Sequence, residues 1–77
     1  MSVIKKVTIN RKDGMEVRMF PNHKDLTYWD VCKSKDGSGI WYYSMHLSTI
    51  LDMLYQAGRN EEEVKLQLWG GEDVAIQ

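Results

Sequence analysis

The spacing of apolar residues changes once along this chain, and that change limits the folds open to it. Before Ser44, apolar and polar residues alternate, which is the period of strands with one buried face. After Ser44, apolar residues recur at helical spacing, at Leu47, Ile50, Leu51 and Leu54. Several strands followed by one helix predict an α+β domain.

Four strands are predicted before the helix, each bounded by turn-forming residues. They span residues 4–10, 15–20, 27–33 and 40–44. The Asp13-Gly14 pair predicts a tight hairpin between the first two, because both residues tolerate a positive φ. Pro21 ends the second strand, since proline cannot donate a ladder hydrogen bond.

The helix is predicted near residues 46–57. Ser44 and Ser48 are the two candidates for its N-cap, because a serine hydroxyl can accept a hydrogen bond from an unpaired backbone N–H. Gly58 is the expected left-handed residue that ends it.

The segment after the helix allows two interpretations. Val64, Leu66 and Leu68 alternate with polar residues, which favours a fifth strand, whereas Asn60 and Glu63 have the spacing of a helix capping box. We therefore expect a strand within residues 60–69, with a helix as the alternative. A short sixth strand around Val74 and Ile76 is a further expectation, the alternative being a frayed tail.

The whole pattern predicts one domain over residues 1–77. Its expected architecture is α+β, an antiparallel β-meander of four to six strands with one α-helix packed on one face, in the order β-β-β-β-α-β(-β). A single helix covers part of one sheet face, so the other face or the sheet edges must be polar, paired or used for binding.

The alternation also predicts which strand residues face the helix. On that side we expect seven residues: Val7, Ile9, Val17, Trp29, Val31, Ile40 and Tyr42. On the uncovered face we expect Trp41 and Tyr43, beside Tyr28 and Phe20. A slip of one residue in any strand would exchange its two faces.

Composition and motifs give no indication of catalysis. The pair Cys32 and His46 would supply a nucleophile and a base, but a lone thiol in a strand is usually a small core residue. Together with His23, these residues have no recognised metal-ligand spacing. We expect no enzyme activity, no cofactor and no metal.

The expected location is the cytoplasm. A single cysteine excludes an intrachain disulfide and is typical of a reducing compartment. No apolar run approaches the roughly 20 residues of a membrane span, and the N-terminal segment lacks the apolar stretch of a signal peptide.

Binding is the better expectation. The chain has 3 Trp, 4 Tyr and 5 Met, a large supply of adaptable apolar side chains for so small a core. We predict a protein-binding module, with another protein or a second copy of the chain as partner. Its predicted anchors are five residues: Trp41, Tyr43, Tyr28, Phe20 and Arg18.

A nucleic-acid-binding module is the alternative. Residues 1–36 carry a formal charge of +3 and residues 37–77 a charge of −4, and such asymmetry marks either a binding surface or two solvated faces. In this alternative, aromatic rings stack on single-stranded bases and seven cations contact phosphates: Lys5, Lys6, Arg11, Lys12, Arg18, Lys33 and Lys35. The net charge of −1 argues against it, because such modules are usually basic.

Two resemblances accompany these alternatives. A four-stranded meander followed by a helix resembles the layout of small single-stranded-DNA-binding coactivator domains, which would imply the nucleic-acid function. In its size and lack of catalytic motifs, the chain resembles accessory or inhibitor proteins of phages and mobile elements, which would imply a protein target.

Overall fold

The protein forms one antiparallel sheet with a helix on one face. The computed structural model describes residues 3–36, 38–70 and 73–75. Its elements are β1 (Ile4–Asn10), β2 (Met15–Pro21), β3 (Tyr28–Lys35), β4 (Ser38–His46), α1 (Leu47–Arg59), β5 (Glu63–Leu68) and β6 (Asp73–Ala75). This confirms the predicted α+β meander with one helix.

The strands lie in the order β4-β3-β2-β1-β5-β6, and every neighbouring pair is antiparallel. The first four strands follow one another across the sheet, and β5 returns beside β1 after the helix. The segment with two interpretations is therefore a strand, as its strict alternation favoured. A sixth strand also forms, although Ile76, the last residue predicted for it, lies outside the described residues.

The core lies between α1 and one face of the sheet. Its buried residues are Val7, Ile9, Val17, Met19, Trp29, Val31, Ile50, Ala57 and Val64. Cross-strand neighbours in this set face the same side, as in the row that joins Ile9, Val17 and Val64. Removing these apolar surfaces from water is the main stabilising contribution, about 25 cal/mol for each Å².

The predicted helical stripe is partly wrong. Ile50 is fully buried and Leu54 packs against the core, but Leu51 is 58% exposed. Met53 and Ala57 take its place on the buried side. The buried stripe of the helix is thus rotated slightly from the predicted one.

The helix crosses the sheet diagonally. It starts after His46 at one edge and leads to Glu63 in β5, four strands away, or about 19 Å. Glu63 lies in the cross-strand row of Asn10, Glu16, Ser34 and Ile40, so it is level with the start of β4 rather than with its end. The helix therefore runs diagonally over the sheet, from the end of β4 to the start of β5. It does not pass over the corner where β4 begins.

The N-cap of the helix is His46, not Ser44 or Ser48. His46 Nδ1 accepts a hydrogen bond from the backbone N–H of Ser48 at 3.1 Å and lies 2.8 Å from its hydroxyl oxygen. Ser44 belongs to β4, because that strand continues two residues further than predicted. An imidazole nitrogen thus satisfies the N–H that a serine was expected to satisfy.

The predicted helix end is also wrong. Gly58 lies inside α1, and the left-handed residue is Glu61, with a φ of 56°. The N–H of Glu61 donates to Gly58 O at 3.2 Å, and the N–H of Glu62 donates to Ala57 O at 2.9 Å. These two bonds form a Schellman motif in which a glutamate occupies the position that usually holds glycine.

Glu62 ties this helix end to the β1–β2 hairpin. Its side chain is buried, and Oε2 accepts a hydrogen bond from the backbone N–H of Lys12 at 3.0 Å. The same oxygen lies 4.0 Å from Arg11 Nε. An acidic residue of the second half of the sequence and a basic residue of the first half thus lie close together at this helix end.

Candidate protein-binding edge

The structure separates the five predicted anchors onto two faces. Met45 packs against the core, and Trp41 and Tyr43 share its phase on β4, so both lie on the helix side of the sheet. The prediction that they occupy the uncovered face is wrong, and Ile40 and Tyr42 face that side instead. Strand β4 is out of phase with the sequence interpretation by one residue.

Phe20, Arg18 and Tyr28 do lie on the uncovered face, as predicted. Arg18 is opposite Cys32, and Phe20 is opposite Asp30. Tyr28 is opposite His46 at the far end of β4, and their rings meet edge to face with centroids 5.4 Å apart. All three therefore lie on the face to which Tyr42 projects, Tyr28 on the strand next to β4 and the other two on β2, one strand further away.

Trp41 and Tyr43 stay exposed although they face the helix side, because the diagonal helix misses their corner. They are 47% and 45% exposed. Lys33 Nζ lies 5.3 Å from the centre of the Tyr43 ring, a cation–π contact. The Trp41 ring folds over Gly39, where an added Cβ would lie 3.2 Å from Trp41 Cη2. The corner is therefore an exposed aromatic surface beside one lysine.

The uncovered face carries an apolar groove next to the same strand. It has a volume of about 470 Å³ and lies between Phe20 and Tyr42, with the buried Cys32 among its lining residues. Arg18 borders it, with Nη2 3.4 Å from Cys32 Sγ and Nε 3.1 Å from Glu16 Oε1. Arg18 is thus in contact with side chains of β2 and β3.

Strand β4 itself is an edge of the sheet. It ends the strand order, and no strand in the described part of the chain pairs with its outer side. Its nine residues include no Lys, Arg, Asp, Glu or Pro, the residues that usually protect an edge from further pairing. Four neighbouring side chains along it are about half or more exposed: Ile40, Trp41, Tyr42 and Tyr43. We call these four residues, with the outer backbone of β4, the β4 edge.

The sequence interpretation missed Tyr42, which at 76% is the most exposed of the large apolar side chains in the described residues. A signal for it was present. Polar Ser44 and His46 share the phase of Tyr42, whereas apolar Met45 shares that of Trp41 and Tyr43. Extending the strand to His46 would have assigned the faces correctly.

The seven cations of the nucleic-acid alternative do not form one surface. Lys6 and Arg18 line a polar groove on the uncovered face, whereas Lys33 lies on the helix side with Tyr43. Arg11 and Lys12 lie in the β1–β2 loop beside the buried carboxylate of Glu62. Of the other two, Lys5 Nζ lies 5.0 Å from the centre of the Trp69 ring, and Lys35 ends β3.

The residues considered for catalysis are not close together. Cys32 lies opposite Tyr42, and His46 is four residues further along β4, or about 13 Å. Cys32 is a free, buried thiol. Within residues 3–36, 38–70 and 73–75, no three His, Cys, Asp or Glu side chains are grouped in a way that could hold a metal ion.

Comparison with known proteins gives no further guide to the site. No protein-family model, curated protein or solved structure matches this chain. In the described part of the chain, α1 is too short and too polar to cross a membrane.

Proposed function

We propose that this domain is a non-enzymatic protein-binding module that receives an extended segment of its partner along the β4 edge. The observation that carries the proposal is an unprotected edge strand with exposed aromatic rings on both of its faces. A strand added to a sheet edge gains main-chain hydrogen bonds, and its alternating side chains contact both faces of the sheet.

This mode of binding accounts for anchors that lie on opposite faces. A partner docked flat on the uncovered face would contact Tyr42, Phe20 and Arg18 but not Trp41 or Tyr43. A strand added beside β4 lies next to Tyr42 on one face and to Trp41 and Tyr43 on the other, whereas Phe20 and Arg18 lie on β2, beyond β3. Trp, Tyr and Arg are also the residues that most often dominate interface energies.

The state of Cys32 bears on the compartment in which the module meets its partner. A buried, free cysteine suits a reducing compartment, so we place the module in the cytoplasm. A small edge-binding domain of this kind suits an accessory or inhibitor protein of the type that phages and mobile elements encode.

Affinity capture with matched variants tests the proposal. Trp41→Ala is expected to weaken partner capture by about 2 kcal/mol, or about 30-fold, while the circular dichroism spectrum stays unchanged. Tyr55→Ala is the control, because Tyr55 is 63% exposed but lies on α1 rather than on the β4 edge. Capture that Tyr55→Ala abolishes and Trp41→Ala preserves would move the site to the helix and refute the proposal.

One observation favours single-stranded nucleic acid as a second candidate. The corner that holds Trp41 and Tyr43 also holds Lys33, so two rings and one cation share an exposed surface. This candidate predicts a gel shift with a single-stranded oligonucleotide at low salt that weakens steeply as salt rises. No shift at micromolar protein concentrations would exclude it.

A further inference from the structure

We propose that the strand that pairs with the β4 edge in the free protein is β4 of a second copy, arranged antiparallel about a two-fold axis at Tyr42. The inference deepens the proposed function and rests on it, because it uses the same edge and names what occupies it. The two sheets then form one continuous sheet, and another partner must displace the second copy before it can bind.

The sequence of β4 is self-complementary about Tyr42. Tyr42 is the middle residue of the nine-residue strand, and an aromatic residue stands on each side of it. In an antiparallel pair centred there, Trp41 of each copy lies opposite Tyr43 of the other, and the two Tyr42 residues lie opposite each other. Aromatic cross-strand pairs are among the favourable ones in antiparallel sheets.

Faces and register agree with this arrangement. Residues opposite each other in an antiparallel ladder project to the same face, so a two-fold axis normal to the sheet keeps both helices on one side. The Trp41 and Tyr43 rings, exposed at the corner that α1 misses, then meet the same rings of the second copy. One contact thus covers rings on both faces that a single chain leaves exposed.

Charge does not oppose the pairing. Strand β4 holds no Lys, Arg, Asp or Glu, so no like charges come to lie opposite each other. The nearest charges on the helix side belong to Lys33 of β3, and two copies of β3 would be three strand spacings apart, about 14 Å. This is longer than the Debye length of about 8 Å at physiological salt, so their repulsion is largely screened.

The area available predicts a reversible dimer. A large aromatic side chain buries 150–250 Å² when fully covered, so the three exposed rings and Ile40 offer at most about 100 Å² each, or about 800 Å² over two copies. The paired backbones bring the total to about 1,000 Å², near the lower limit of specific interfaces. We therefore expect a dissociation constant of about micromolar rather than nanomolar size.

Sedimentation equilibrium of the intact chain tests whether the dimer exists. From about 1 to 200 µM, the mean mass should rise from one chain toward two. A mass of one chain throughout would overturn the inference and leave the Trp41→Ala capture test standing. A dimer that persists in Tyr42→Lys would also overturn it, because it would have to use another surface.

A charge exchange at Tyr42 tests the register. Tyr42 is 76% exposed, so Tyr42→Lys and Tyr42→Glu should both fold, which circular dichroism checks. Each variant alone places like charges opposite each other and should dimerise at least about 10-fold more weakly than the original chain. An equimolar mixture should dimerise more tightly than either variant alone, because lysine then lies opposite glutamate. A mixture no better than its components would refute pairing centred at Tyr42.

The same exchange at Tyr55 is the control. Tyr55→Lys and Tyr55→Glu alter an equally exposed aromatic residue on the helix, away from the two-fold axis. Neither variant nor their mixture should change dimerisation by more than about twofold. An effect at Tyr55 that matches the one at Tyr42 would overturn the inference and place the contact between helices.

Discussion

Glu61 offers a strict test of how the helix ends. With a φ of 56°, it is one of two non-glycine residues with positive φ among those the structure describes, and it closes the Schellman motif after α1. A residue with a Cβ pays about 1–2 kcal/mol in this conformation. Glycine avoids that cost, but its extra freedom in the unfolded chain costs roughly 0.5–1 kcal/mol.

The difference predicts that Glu61→Gly raises the free energy of unfolding by about 0.5–1 kcal/mol. For a domain of this size, that corresponds to a rise in Tm of roughly 2–8 °C. Urea titration followed by circular dichroism measures it, and the m-value should not change, since the buried surface is the same. Glu61 is exposed, so no packing is lost.

Two variants separate backbone conformation from charge. Glu61→Gln removes the charge and keeps the Cβ, so it should raise the free energy of unfolding much less than Glu61→Gly does. Arg59→Gly places glycine in the last helical turn, where it should cost about 1 kcal/mol. If Glu61→Gly destabilises the protein as Arg59→Gly does, the assignment of the left-handed position to Glu61 is refuted.

Two further predictions concern carboxylates. Glu62→Ala should lower the free energy of unfolding by about 1–3 kcal/mol in urea titration, because it leaves the Lys12 N–H without its acceptor; Glu62→Gln should recover part of the loss. An effect no larger than that of the exposed neighbour Glu63→Ala would contradict this. The Met15 N–H, which donates to Asp13 Oδ1 at 2.9 Å, holds the pKa of Asp13 below its ordinary 3.8. Asp13 should therefore stabilise the fold above about pH 4 and lose this effect as the pH falls through its folded pKa. A carbon-13 titration that placed the pKa at or above 3.8 would refute this.

The elements that the sequence predicted well are those that local chemistry determines. Strand β1 has the predicted bounds, and β2 extends one residue beyond them, because alternation and the Asp13-Gly14 turn leave one register for that hairpin. The fifth strand was predictable for the same reason. Val64, Leu66 and Leu68 could place their side chains on one face only as a strand.

The elements that the sequence predicted poorly depend on distant contacts. The phase of β4 is the exception, because Ser44, Met45 and His46 indicate it locally and the predicted strand ended too early to use them. The helix end depends on Glu62, whose partner Lys12 is 50 residues away. That contact holds the chain in a conformation that glycine would adopt without strain.

The candidate site combines both kinds of element. Its composition was visible, since an uncharged stretch rich in aromatic residues stands out in so short a chain. Its geometry was not, because an edge position and a diagonal helix are properties of the assembled sheet. The sequence therefore indicated which residues make up the proposed site but assigned Trp41 and Tyr43 to the wrong face.

The return of β5 to the side of β1 also affects how the chain is made. Ile9 of β1 pairs with Val64 of β5. Four elements lie between these strands in the chain, so β1 is made well before the strand that covers its outer edge. During that interval β1 is an open edge of the nascent sheet, in addition to β4, and such edges invite pairing with other chains until β5 covers β1. We therefore expect slow translation between β4 and β5 to lengthen the time in which a growing chain can aggregate.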